Sequence, residues 1–103
     1  MELQLGLSID AEKLAAFCRE HSIRRLSAFG SVLREDFGPE SDVDLLVEFQ
    51  DGAVLGLFKL AGMELELSEL FGGREVELRT YYDLSRYFRD KVQDTAKNLY
   101  AAA

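Results

Sequence analysis

Two aspartates two residues apart, Asp42 and Asp44, and a Gly30-Ser31 pair ten residues before them are the positions whose types and spacing could do chemistry. Side chains alternate across a strand, so residues two apart share a face. A strand opening at Asp42 puts both carboxylates on one face and Val43 and Leu45 on the other. Adjacent carboxylates repel, and without compensation one of them is driven to keep its proton. A divalent cation supplies that compensation. Hard oxygen ligands suit Mg²⁺, which is held by one or two carboxylates together with substrate phosphates. The Gly30-Ser31 pair fits the phosphate half of such a substrate. Glycine lets the backbone approach a ligand closely. Ser31 offers a hydroxyl and a cap for a short helix through Val32 to Arg34, and a helix N-terminus favours phosphate. Arg34 adds a cation. A metal end beside a phosphate end points to a nucleoside triphosphate, and to nucleotidyl or phosphoryl transfer.

Strands and helices must hold these groups in place. Ile23 to Phe29 reads as a first strand, with Arg24 and Arg25 at the surface. It runs into a phosphate-facing turn, Gly30 to Arg34. A loop from Glu35 to Ser41 contains the only proline, Pro39, and brings Ser41 beside Asp42. The second strand, Asp42 to Phe49, is apolar beyond its aspartates, as in a strand covered on both faces. Upstream, Ser8 or Asp10 caps a first helix whose Leu14, Phe17 and Cys18 recur at helical spacing. Cys18 reads as a small buried apolar residue, and His21 as a helix-end or loop residue. Gln50-Asp51-Gly52 forms a turn. Leu55 to Phe71 reads as a helix whose apolar cover is Leu57, Leu60, Ala61, Leu65 and Leu67 to Phe71. Glu64, Glu66 and Glu69 form its solvated face, and Gly72-Gly73 stops it. Arg74 to Thr80 is the third strand, with Val76 and Leu78 facing one way and Glu75, Glu77 and Arg79 the other. Asp83 or Ser85 then opens a last helix to about Tyr100, with a stripe of Leu84, Tyr87, Phe88, Val92, Ala96 and Leu99.

The whole composition agrees with one small domain spanning residues 1–103. Hydrophobic residues make up 48% and charged residues 30%, which places the chain among globular proteins rather than disordered ones. A single cysteine excludes an internal disulfide and fits a reducing, cytoplasmic setting. No apolar run nears the roughly 20 residues a membrane span needs, and no secretion signal is evident. A net charge of −7 argues against direct nucleic-acid binding, which needs basic surface. It suits docking on a basic protein.

Gly30-Ser31-x-x-Arg34 followed by Ser41-Asp42-x-Asp44-Leu45-Leu46-Val47 resembles the signature of the polymerase-beta-type nucleotidyltransferase superfamily. With glycine near 7% and serine and aspartate taken as roughly similar, the Gly-Ser-x10-Asp-x-Asp spacing arises by chance in about one chain in a thousand of this length. The short chain is similar to the minimal nucleotidyltransferases, antitoxins paired with a HEPN-domain RNase toxin. The resemblance runs from roughly Leu26 to Thr80. It implies an α/β (α+β) fold, a small mixed sheet with flanking helices and the site at one sheet end.

The resemblance also implies a third carboxylate on the strand after the second helix, an aspartate in a Val-Asp-Leu context. Val76-Glu77-Leu78 stands there, with Glu77 in place of aspartate. The longer side chain keeps metal binding plausible and puts full activity in doubt, because a displacement of about 1 Å can cost ~100-fold in rate. Glu75, on the same face, is the fallback. On this reading Asp42, Asp44 and Glu77 bind two Mg²⁺ ions and do the chemistry, with Glu77 as general base. Gly30, Ser31, Arg34 and Ser41 hold the triphosphate of ATP. AMP passes to a protein acceptor, a HEPN toxin that is thereby neutralised. The competing reading is a weak or inactive nucleotidyltransferase-fold antitoxin that blocks its toxin by binding alone. Association as a homodimer or hetero-oligomer through an apolar helix face is expected.

Overall fold

The computed structural model describes residues 9–30, 42–50 and 57–102. A first helix, α1 (Ala11–Glu20), leads into strand β1 (Ile23–Phe29), and strand β2 (Val43–Phe49) returns antiparallel to it. Helix α2 (Leu57–Leu70) then crosses to strand β3 (Val76–Arg79), which lies parallel to β2. A 3-10 turn (Tyr81–Asp83), a short helix α3 (Arg89–Thr95) and strand β4 (Lys97–Ala101) complete the described chain. The sheet order is β3-β2-β1-β4.

Local chemistry explains the boundaries. The Asp10 carboxylate accepts from the Glu12 and Lys13 amides at 3.0 and 3.1 Å, satisfying two donors at the open end of α1. Of the two predicted caps, Asp10 fills the role, and Ser8 lies outside the described residues. The helix ends at Glu20 with His21 as its C-cap, and Ser22, at a left-handed φ of 57°, turns the chain into β1. At the far end of α2, Gly72 and Gly73 both take positive φ, and the Gly73 amide bonds the Ser68 carbonyl at 2.8 Å. This is the glycine-terminated closure expected of the pair.

One face of the sheet carries the core. Leu26 and Ala28 of β1, Val43, Leu45 and Val47 of β2, and Val76 and Leu78 of β3 are buried. They pack in one cluster with Leu14, Phe17 and Cys18 of α1 and with Met63, Leu67 and Phe71. The Cys18 thiol is pushed up to about 12, by burial first, with Arg19 opposing, so it is an inert apolar filler as the spacing suggests.

Three expectations need correction. Among the described residues, β2 is covered by helices on one face only: Val43, Leu45 and Val47 are buried, whereas Asp44 and Leu46 are half-buried and Glu48 is exposed. In α2, Ala61 and Leu65 point outward, Leu65 being 71% exposed, because Met63, Leu67 and Phe71 at four-residue spacing already fill the contact with the sheet. Third, no single helix runs from Asp83 to Tyr100. α3 ends at Thr95, and Lys97 to Ala101 pair antiparallel with β1. That pairing satisfies the outer edge of β1 and buries Leu99, a gain no local helix offers. Tyr87 and Phe88, expected in an apolar stripe, are exposed.

Candidate active site

Asp44 lies on the sheet face away from the core, where β1, β2 and β3 meet. Across β1 it stands opposite Phe29, and across β3 it stands opposite Glu77. The register between β2 and β3 thus puts the predicted third carboxylate beside the predicted metal ligand, and the backbone carbonyl of Glu75 accepts from the Val43 amide at 2.8 Å. The expected facing of β3 holds: Val76 and Leu78 are buried, and Glu77 is half-buried on the other side.

Gly30 follows β1 directly and closes this corner. Its φ is +74°, and a Cβ built on it would lie 2.7 Å from Asp44 Oδ2. No side chain fits without displacing the carboxylate, and a non-glycine residue would be strained at this φ, so both backbone conformation and close approach favour glycine. Asp42, two residues before Asp44, precedes the strand and is exposed. Ser31, Arg34 and Ser41 lie outside the described residues.

The electrostatics match a site built for positive charge. The Asp44 carboxyl is held above its usual range, first by burial, then by the neighbouring charges of Glu77 and Asp42 and by a hydrogen bond with Glu77; Arg79 partly opposes these effects. Arg79 reaches back along its strand to Glu77, with Nη2 3.3 Å from Oε2. An exposed pair of this kind adds little to the stability of the fold. Asp42, Asp44 and Glu77 offer only hard oxygen donors, the class Mg²⁺ takes, and a bound cation would relieve the repulsion at Asp44; as placed, the three carboxylates do not bring donor atoms within 4.8 Å of one another.

Sequence reasoning missed one supporting residue. Glu64, assigned to the solvated face of α2, turns inward and accepts from the Leu78 amide at 2.8 Å. It satisfies a backbone donor on the outer edge of β3, next to Glu77, and ties α2 to that strand. A lone glutamate at helical spacing carries no sign of such a contact. Glu66 also departs from a purely solvated role, meeting His21 Nε2 at 3.0 Å.

Among the described residues, the potential ligands whose donor atoms all lie within 4.8 Å of one another are Glu20, His21 and Glu66. That trio sits at the opposite end of β1 from Gly30, about 20 Å away for seven residues of strand. It is separate from the Asp44 corner. Along the same sheet face as Asp44 runs a cavity of about 440 Å³, lined among others by Arg25, Ser27, Leu46, Tyr81, Tyr82 and Gln93. No helix among the described residues is long and apolar enough to cross a membrane.

Comparison with known proteins agrees with this architecture. The nucleotidyltransferase domain family is matched over residues 11–99. A protein of Methanocaldococcus jannaschii named "Putative protein adenylyltransferase" is 33% identical over 84 residues, 82% of this chain and 87% of that one. A solved structure described as a "putative minimal nucleotidyltransferase" is 34% identical, covers 84% of this chain and 85% of its own, and superposes with a TM-score of 0.66. Two toxin-antitoxin structures share the fold at lower identity. One, with AMP-PNP, has a TM-score of 0.70 and 19% identity over 91% of this chain and 75% of that one. The other, a tri-AMPylated Shewanella oneidensis HEPN toxin in complex with MNT antitoxin, has a TM-score of 0.60 and 18% identity over 89% of this chain and 70% of that one.

Proposed function

This chain belongs to the nucleotidyltransferase domain family, and from that premise we propose that it transfers AMP from ATP to a protein acceptor in a Mg²⁺-dependent reaction. The observation that carries the reading is the corner made by Gly30, Asp44 and Glu77: a glycine with no room for a side chain, packed on a carboxylate that is paired in register with another. Asp42 and Asp44 would hold the metal ions, with Glu77 completing the set. Bound ions would neutralise charge on the phosphates and clamp the attacking and leaving oxygens of an in-line displacement. Glu77 would take the proton of the attacking hydroxyl, a role that its pairing in register with Asp44 and its hydrogen bond to that residue support. Gly30, with Ser31, Arg34 and Ser41, receives the triphosphate tail.

The acceptor we infer is a HEPN-type toxin, neutralised by the modification. The relative named as a protein adenylyltransferase and the AMPylated HEPN complex among the structural neighbours support this choice. The glutamate at position 77 and its ion pair with Arg79 favour a second reading, in which the chain neutralises a toxin by binding alone.

The test uses purified protein with Mg²⁺ and the partner toxin, supplied with ATP labelled at the α-phosphate or, in parallel, at the γ-phosphate. Label on the toxin from the α-position alone, lost in Asp42→Asn/Asp44→Asn, establishes nucleotidyl transfer. Neutralisation that persists in that double variant, without label, establishes binding alone.

A further inference from the structure

We propose that the cavity on the open sheet face is the acceptor site, and that it takes a hydroxyl-bearing side chain with its flanking residues from a polypeptide. The inference rests on the transfer reaction above and specifies where its second substrate sits.

Outward-facing residue pairs run down the sheet from Gly30. Phe29 stands opposite Asp44, then Ser27 opposite Leu46, then Arg25 opposite Glu48. Each step is about 7 Å, two residues of strand. The cavity begins one step beyond Asp44, with Ser27 and Leu46 on its floor. Ser27 is the one buried polar residue among the described residues, at 6% exposure, and it faces this side. The wall is Thr80, Tyr81 and Tyr82, the segment that directly continues β3 from Glu77 and Arg79.

Direction assigns the occupant. In nucleotidyl transfer the acceptor oxygen forms a bond to the α-phosphorus as the bond from that phosphorus to the bridging oxygen breaks. Pyrophosphate departs, and the hydroxyl proton passes to Glu77. Attacking and leaving oxygens lie on opposite sides of the phosphorus. With the leaving pyrophosphate at the Gly30 end, the acceptor must approach from the sheet interior, which is where the cavity opens. Its volume of about 440 Å³ falls in the range of small-ligand pockets and would take one side chain with its neighbours.

The rim favours a protein. Tyr82, which lines the cavity, is 80% exposed. Exposed tyrosines and phenylalanines are the side chains enriched where proteins meet.

Backbone amide resonances of the ¹⁵N-labelled full chain test the assignment. One titration uses Mg²⁺ with an ATP analogue that cannot break its α,β bond. The other uses a set of short peptides, each with one serine, threonine or tyrosine. The analogue should move Gly30 and Asp44, and at least one peptide should move Ser27, Leu46 and Tyr82. Gln93→Trp, an exposed change at the cavity wall, should raise that peptide's half-saturation concentration at least tenfold and leave analogue affinity within twofold. The assignment is overturned if the analogue moves Ser27, Leu46 and Tyr82, if no peptide moves them, or if Gln93→Trp leaves peptide binding unchanged. A chain that fails to bind the analogue at all refutes the transfer reaction itself, and the acceptor site with it.

Discussion

Replacing Gly30 with alanine should damage stability modestly and transfer severely. A non-glycine residue held in the left-handed region costs about 1–2 kcal/mol, and Gly30 sits there at φ +74°. In a domain of this size each kilocalorie lowers Tm by about 4–8 °C, so a fall of roughly 4–16 °C is expected. The new Cβ would lie 2.7 Å from Asp44 Oδ2, some 0.7 Å short of an ordinary contact at 3.4 Å. The carboxylate must therefore move by a large part of an ångström. Displacements near 1 Å can cost about 100-fold in rate, so a loss of about 10- to 100-fold is expected. Gly72→Ala is the matched control: its φ is +73°, but nothing lies within 4 Å of the added Cβ. It should lose comparable stability and keep transfer. Thermal denaturation followed by circular dichroism gives the first quantity. Label transfer from α-labelled ATP, at least 15 °C below each variant's Tm, gives the second. Equal transfer by Gly30→Ala and wild type would refute the close-packing argument, as would equal loss in the two glycine variants.

Three further outcomes follow from the same contacts. Mg²⁺ at ten times its dissociation constant should stabilise wild type by about 1.4 kcal/mol, and Asp44→Asn should lose most of that gain; matched urea titrations with and without Mg²⁺ decide it. Glu64→Ala removes the carboxylate that the Leu78 amide donates to and should cost about 1–3 kcal/mol. Amide hydrogen exchange at Leu78 should speed up in that variant and be largely protected in Glu64→Gln, which keeps an acceptor oxygen. The Asp83 carboxyl is held below its usual range, mainly by the Thr80 amide and hydroxyl. A depressed carboxylate stabilises the fold above its unfolded pKa, and that contribution disappears as pH falls through the lower folded value. The gap between wild type and Asp83→Asn should therefore be present at pH 7 and close below about pH 4, read from denaturation midpoints across pH.

The strand that bears Asp44, the separation of its faces and the halt of α2 at Gly72-Gly73 were legible in the sequence, because each depends on neighbours a few residues away. Alternation alone places Val43 and Leu45 opposite Asp44. Helical spacing alone marks Leu14, Phe17 and Cys18, and a capping aspartate announces α1. The choice of Glu77 came from resemblance, and its place beside Asp44 is a matter of register.

The tertiary structure decided what depends on partners distant in sequence. Leu99 and Tyr100 read equally well as the end of a helical stripe, and only the exposed edge of β1 draws them into β4. Glu64 belongs to the surface by its spacing, and only the open edge of β3 turns it inward. The parallel register of β2 and β3 pairs Asp44 with Glu77, and the left-handed turn at Gly30 sets how close the backbone comes to that pair. The chain thus carries the reactive groups and their local periodicity. The relative positions of those groups are set by hydrogen bonds and packing between segments that no local pattern records.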